Sequence, residues 1–279
     1  MSTRIFKCRN LNIPLGERTL IMGILNATPD SFSDGGEAYG LQNAIDRGLE
    51  LISAGADILD IGGESTRPGS DPVSLDEELE RVIPVIEALS NKTKIPISID
   101  TYKSEVARLA LKAGAHIVND ISAGIFSEDM PEVVSDFGAG IVLMHIKGTP
   151  RDMQKNPSYD NVMEEISYFL MNAVIQFRSR GVDKSSILVD PGIGFGKKLL
   201  HNLELMKRLG ELKKLASGVL VGPSRKSFIS GITGSPVEDR LPETISAAVV
   251  CAFNGADVIR VHDVYPVAKA LKVSDAIQR

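Results

Sequence analysis

Three joints of one design recur along the chain: SAGAD at 53–57, KAGAH at 112–116 and NGAD at 254–257. In each, a glycine stands where a helix closes and an apolar strand opens at once, the use a left-handed residue has at a helix end. Around these joints, eight short apolar runs alternate with stretches of helical spacing. The strands are expected at 20–25, 58–61, 95–99, 116–120, 140–145, 187–189, 219–221 and 257–261. They alternate little, as strands buried on both faces of a parallel sheet do. Helices are expected at 41–54, 75–89, 104–113, 131–137, 161–180, 202–215, 242–254 and 265–276, with Pro84 predicting a kink in the second. Residues 3–15 read as a small hairpin. Eight βα units in 279 residues fit a TIM (β/α)8 barrel with a short N-terminal hairpin, all within one domain, 1–279. A doubly wound open sheet is the competing architecture, and the number of units favours the barrel.

Composition narrows the function. With 43% apolar residues the chain can bury one large core. A net charge of -5 without a basic tract, and no tryptophan, argue against a nucleic-acid surface. Cys8 and Cys251 lie far apart and form no metal-ligand spacing, which suits reduced thiols in a cytoplasmic protein. The first residues lack an apolar signal core and no later run approaches a membrane span, so a cytoplasmic protein without membrane partners is expected.

The chemistry gathers at the strand ends, the face on which such a barrel carries its site. The stretch ADILDIGGESTRPGS at 56–70 delivers Asp60 at the end of a strand, then a glycine hinge and a loop with Glu64, Thr66 and Arg67. Other ends supply Asn26, Asp100, Asn119, Asp190, Lys226, Arg260 and His262. One such residue is an ordinary turn-former. So many on one face are costly to bury without a ligand. Carboxylates and amides suit a flat heterocycle with adjacent N–H groups, whereas Arg67, Arg260 and His262 suit a phosphorylated group. Other motifs fall away. GIGFG at 192–196 lacks dinucleotide spacing, no Walker loop is present, and GPSRKS at 222–227 lacks the second glycine of a nucleophile elbow. The four histidines show no metal spacing; His116 reads as structural at the opposite barrel end, and His201 as a cap or surface residue.

The motifs GILNATPDSFSDGG (23–36), LDIGGESTRPG (59–69), SIDTYK (98–103), VNDISAG (118–124), LMHIKGTP (143–150), DPGIGFGK (190–197), GPSRKSFI (222–229) and RVHDV (260–264) span nearly the whole chain. Together they resemble the dihydropteroate synthase family. The resemblance implies a usually dimeric, Mg²⁺-dependent TIM barrel. Its reaction joins 6-hydroxymethyl-7,8-dihydropterin pyrophosphate to p-aminobenzoate, releasing pyrophosphate by an SN1-like substitution; sulfonamides are its expected inhibitors. By motif, Asp60, Asp100, Asn119, Asp190 and Lys226 correspond to the pterin pocket, with Ile121 and Met144 as its apolar walls. Asn26 corresponds to the residue associated with Mg²⁺ and pyrophosphate, and Arg67, Arg260 and His262 to the anion site. Phe32, Thr66, Arg67, Pro68, Phe195 and Ser227 correspond to the surroundings of p-aminobenzoate. Asp100, Lys226, Arg260 and His262 are the expected catalytic residues. The pterin pyrophosphate is expected to come from a separate enzyme. A pterin-binding methyltransferase shares the barrel, but SFSDGG, ESTRPG and the SRK at 224–226 favour the synthase. A binding homologue without turnover is disfavoured by the intact Asn26, Asp190, Lys226 and Arg260. Glycines flank Phe32 and the 66–68 segment, so the amine pocket is expected to order only once pyrophosphate is bound.

Overall fold

The computed structural model describes residues 4–27 and 37–278, with the backbone alone for 37–39. Strands β1 (Arg4–Cys8) and β2 (Leu11–Leu15) pair antiparallel as the expected hairpin. Eight parallel strands follow: β3 (Leu20–Asn26), β4 (Ile58–Gly62), β5 (Ile97–Asp100), β6 (Ile117–Asp120), β7 (Gly140–Met144), β8 (Ile187–Asp190), β9 (Gly218–Val221) and β10 (Val258–Val261). They close into a barrel, with β10 pairing β3. Outside them lie α1 (Glu37–Ser53), α2 (Leu75–Ser90), α3 (Ser104–Ala113), α4 (Met130–Phe137), α5 (Val162–Ser179), α6 (Leu199–Lys207), α7 (Ser227–Thr233), α8 (Leu241–Phe253) and α9 (Val264–Gln278). Among the described residues no helix is long and apolar enough to cross a membrane.

The recurrent joints have a common geometry. Gly55, Gly114 and Gly255 take φ of +105°, +119° and +111°, a region in which a side chain would be strained. The residue closing each joint then ties the new strand to its neighbour. Asp57 accepts the Ile21 N–H at 2.9 Å, His116 Nδ1 that of Ile97 at 3.4 Å, and Asp257 that of Val219 at 2.9 Å. His116 is thus structural, as expected.

Two helical expectations shift. The stretch 202–215 divides into α6 and a tighter turn at Leu209–Lys214, where Leu209 and Leu212 bury themselves at a three-residue spacing. The short α7, directly after Lys226, has no counterpart in the predicted helices. α2 continues from Leu75 to Ser90 through Pro84.

Alternation along the strands sorts the core into two layers. Ile61, Ile99, Val118, Ile141, Leu143, Val189, Val219 and Ile259 pack outward under the helices. Leu20, Met22, Ile58, Ile117, Val142, Leu188, Leu220 and Val258 fill the barrel together with Phe6, Cys8 and Leu15 of the hairpin. The hairpin therefore stoppers the amino-terminal end of the barrel. Arg4 holds it there, donating to both oxygens of Asp257 at 2.6 and 3.1 Å, and Ser217 Oγ donates to Ile5 O at 2.6 Å. Both thiols are unpaired, and burial pushes each up to about 12, which makes neither a nucleophile at neutral pH.

The stopper fits because β7 begins with glycine. A Cβ at Gly140 would stand 2.6 Å from Phe6 Cζ and 3.0 Å from Cys8 Cβ. Gly140→Ala is therefore expected to cost about 1–3 kcal/mol by overpacking, read from urea unfolding. An unchanged midpoint would show that the hairpin is not seated against β7.

Candidate active site

One inward step above the apolar filling, the same alternation presents polar side chains. Asp60 stands opposite Ser98 in the register, and Asp100 opposite Asn119. Arg260 enters from β10 and bridges the acids of β4 and β5. Its Nε donates to Asp60 Oδ2 at 2.5 Å and its Nη2 to Asp100 Oδ2 at 2.5 Å. Asn119 Nδ2 donates to the same Asp60 oxygen at 2.9 Å. Asp60 Oδ1 and Ser98 Oγ are buried without a hydrogen-bond partner among the described residues. Burial pushes Asp100 up to about 7, with Arg260 pulling against it and the Asp60 charge adding to the rise. Burial alone would lower Arg260; the Asp60 and Asp100 charges more than reverse this and raise it.

The opposite side is built by the GIGFG run. Asp190 Oδ1 accepts the Gly192 N–H at 2.7 Å, and burial pushes this acid up to about 6 against that bond and the Lys226 charge. Gly192, Gly194 and Gly196 all have positive φ. A Cβ on Gly192 would meet His145 O at 2.0 Å, and one on Gly196 would meet Lys147 O at 2.6 Å. The glycines thus let the loop lie against the segment that follows β7. Lys197, buried beneath it, donates from Nζ to Phe195 O at 2.8 Å and to His145 O at 3.3 Å. Ile121, Met144, Ile146, Met153 and Phe195 pack into one apolar cluster.

Lys226 crosses Gly194, with Nζ 4.0 Å from the centre of the Phe195 ring. Burial, and then Arg260, lower this lysine to about 8. Its neighbour Arg225 is left-handed at φ +56°, a strained state for a side-chain residue. It is held there by two bonds to Asp263 at 2.9 and 2.7 Å, one from its own N–H to Thr244, and one from Arg240 to its carbonyl. Ser224 Oγ lies 3.0 Å from His262 Nδ1. Burial and the Arg260, Arg225 and Lys226 charges lower His262 to about 3.

The rim loop carrying Thr66, Arg67 and Pro68 is tied down by its own chain. Lys103 Nζ donates to Glu64 at 2.6 Å, Glu78 at 2.5 Å and Val73 O at 2.7 Å, while Glu64 accepts from Tyr102 Oη at 2.7 Å and Val73 N at 3.1 Å. Both ends of the loop therefore meet at one lysine. At its tip, Gly69 N donates to Pro150 O at 3.0 Å.

Residues 22–262 match the family described as pterin binding enzyme. The dihydropteroate synthase of Synechocystis sp. is 49% identical over 95% of this chain and 92% of its own length. The chain belongs to the dihydropteroate synthase family. Two solved structures of that family overlay closely. The Xanthomonas albilineans dihydropteroate synthase with 4-aminobenzoic acid has a TM-score of 0.92 at 42% identity, covering 99% of each chain. The Yersinia pestis dihydropteroate synthase with a sulfonamide drug has a TM-score of 0.91 at 41% identity, covering 98% of each.

On this dihydropteroate synthase barrel, the polar residues expected at the pterin fall into two groups: Asp60, Asp100 and Asn119 linked through Arg260 or to one another, and Asp190 and Lys226 at the glycine loop, where Lys226 meets Phe195, a residue expected at p-aminobenzoate. Ile121 and Met144 share the apolar cluster with Phe195. Arg67, Pro68 and Ser227 are exposed at the rim, as is Asn26 at the end of β3. Phe32 lies outside the described residues. The rim loop draws its order from Lys103 and Glu64, a source inside the chain that the expectation of pyrophosphate-driven ordering did not include. Arg260 has a role beyond the expected anion contact, because it is the counter-ion of Asp60 and Asp100. Lys197 and Lys103 were missed, and of the SRK segment only Lys226 was given a role, although all sit inside the quoted motifs; no local pattern marks their partners Glu64, His145 and Asp263, which lie far off in sequence. His201 caps α6, its Nδ1 accepting the Lys198 N–H at 3.2 Å.

Glu78 is buried, and burial raises its carboxyl against the pull of Lys103. Lys103→Met is expected to cost about 3 kcal/mol at neutral pH, by leaving buried carboxylates unpaired. Glu78 binds a proton more readily folded than unfolded, so the loss shrinks on acidification. Urea unfolding as a function of pH checks both points; a pH-independent loss would point to packing instead.

Proposed function

We propose that the family's reaction runs on this floor: the condensation of 6-hydroxymethyl-7,8-dihydropterin pyrophosphate with p-aminobenzoate to 7,8-dihydropteroate and pyrophosphate. The observation that carries the reading is the pairing of strand-end acids with an apolar cluster, buried Asp190 and partly buried Asp100 on one hand and Met144, Ile121 and Phe195 on the other. An ionised carboxylate accepts two parallel N–H bonds, which matches the aminopyrimidine edge of a pterin. We assign that edge to Asp190, with Asn119 and Lys226 addressing the remaining ring heteroatoms and Asp60 supporting from below. Thr66, Arg67, Pro68, Phe195 and Ser227, with Phe32, would receive p-aminobenzoate. A sulfonamide carrying the same aryl amine would compete there.

The reduced ring is electron-rich, so positive charge at its exocyclic methylene is tolerated as the bond to pyrophosphate breaks. The Asp60, Asp100 and Asp190 charges favour that cation. Arg260 spends two of its five N–H groups on Asp60 and Asp100, and the others, with Arg67 and His262, are directed to the leaving group. The amine nitrogen then attacks the methylene and loses a proton; no strong base is needed, which fits a site without a catalytic triad.

Magnesium fits this site as an ion carried by pyrophosphate. Asn26, at the end of β3, carries a neutral amide oxygen, a hard donor of the kind taken by an ion that keeps water and phosphate oxygens. Bound against Asn26, it would supply charge neutralisation for the leaving pyrophosphate. We also propose a homodimer through α8 and α9, whose Val250, Phe253, Tyr265 and Val273 are exposed apolar side chains. Sedimentation should show Phe253→Asp as a monomer and the wild type as a dimer; a monomeric wild type would end that proposal.

Pyrophosphate release that requires both substrates tests the reaction itself. For the pterin site, affinity is expected to fall as pH drops through about 6, where Asp190 takes up a proton. Asp190→Asn should bind pterin about tenfold or more weakly and lose that step. Calorimetry checks this, and affinity within twofold of wild type would remove Asp190 from the pterin edge.

A further inference from the structure

We infer that Ser224 is a positioning residue that fixes the neutral imidazole of His262 as its Nε2–H tautomer, making the outer ring nitrogen a hydrogen-bond donor. Ser224 is buried, at 3% exposure. Its hydroxyl has one proton to give and lone pairs to accept with. It accepts the backbone N–H of His262 at 3.3 Å and stands 3.0 Å from Nδ1 of the same residue.

Two neutral arrangements are open. If Nδ1 carried the proton, Ser224 Oγ would accept twice from His262, its own buried proton would have no partner in this pair, and Nε2 would be a bare lone pair. If Nδ1 is bare, the serine proton goes to Nδ1 while Oγ accepts the backbone N–H. The two residues then satisfy each other, and Nε2 keeps its proton. An unmade buried donor is penalised, so the second arrangement holds. The doubly protonated ring is disfavoured by Arg260, Arg225 and Lys226 around it, and the nearby carboxylate of Asp263 is already taken by Arg225. The left-handed Arg225 stands between Ser224 and Lys226 in sequence, so one strained residue sets both the serine and the lysine.

The consequence for catalysis rests on the reading of His262 as a ligand of pyrophosphate. A neutral Nε2–H donates to an anion without adding another buried cation beside Arg260 and Lys226. The opposite tautomer would turn a lone pair toward the leaving group.

The test uses the full chain labelled with ¹⁵N in histidine, which carries only four imidazoles. His262→Gln assigns the signal. The wild type is expected to show an unprotonated Nδ1 and a protonated Nε2. Ser224→Ala should shift that pattern toward a mixture of tautomers, and Ser224→Thr, which keeps the hydroxyl, should restore it. A protonated Nδ1 in the wild type overturns the inference, as does a pattern unchanged in Ser224→Ala. Alongside, calorimetry with inorganic pyrophosphate and Mg²⁺ is expected to show about tenfold weaker binding for Ser224→Ala, with pterin affinity held within about twofold. A tautomer shift with unaltered pyrophosphate affinity would uphold the role of Ser224 while removing His262 from the anion site.

Discussion

The guanidinium of Arg260, lying between Asp60 and Asp100, is the contact on which the floor of this barrel depends. Two carboxylates brought this close inside an apolar tube would repel each other and lose their hydration. Arg260 makes the arrangement tolerable by answering both with charge-assisted bonds from one rigid plane. It also fixes where each acid points, because Asp60 is held simultaneously by Asn119. The result is a field that is close to balanced at rest, yet rich in groups able to respond when charge develops above it.

Around that floor, much of the chain serves to hold a few side chains still. Lys197 ties the glycine loop to the segment after β7 through two carbonyls. Arg225 accepts an unfavourable backbone conformation and is locked there by Asp263, Thr244 and Arg240. Lys103 gathers both ends of the rim loop. None of these needs to touch a substrate. Each limits how far a neighbouring group can stray, which is what a positioned site demands.

The barrel and the identity of most floor residues were legible because short apolar runs set between helical stretches, and the polar residues that close those runs, are local properties. Asp100 and Asp190 close their strands, and a run such as IPISID announces both a strand and its acid. Partnerships were not legible. Arg260 finds Asp60 and Asp100 at separations of 200 and 160 residues, and no local pattern encodes that. The same holds for Lys103, whose two acids come from the loop after β4 and from α2. α7 escaped because it has only seven residues and contains a glycine, too little periodicity to register. The division of 202–215 depended on how Leu209 and Leu212 reach the core, which is a tertiary matter.

The hairpin stopper has one more consequence. With Phe6, Cys8 and Leu15 sealing one end against the apolar filling, the barrel is a blind well with a single mouth. Whatever rests on the acid floor therefore shares one opening with anything seated at the rim, and a product joined from the two leaves by that same opening.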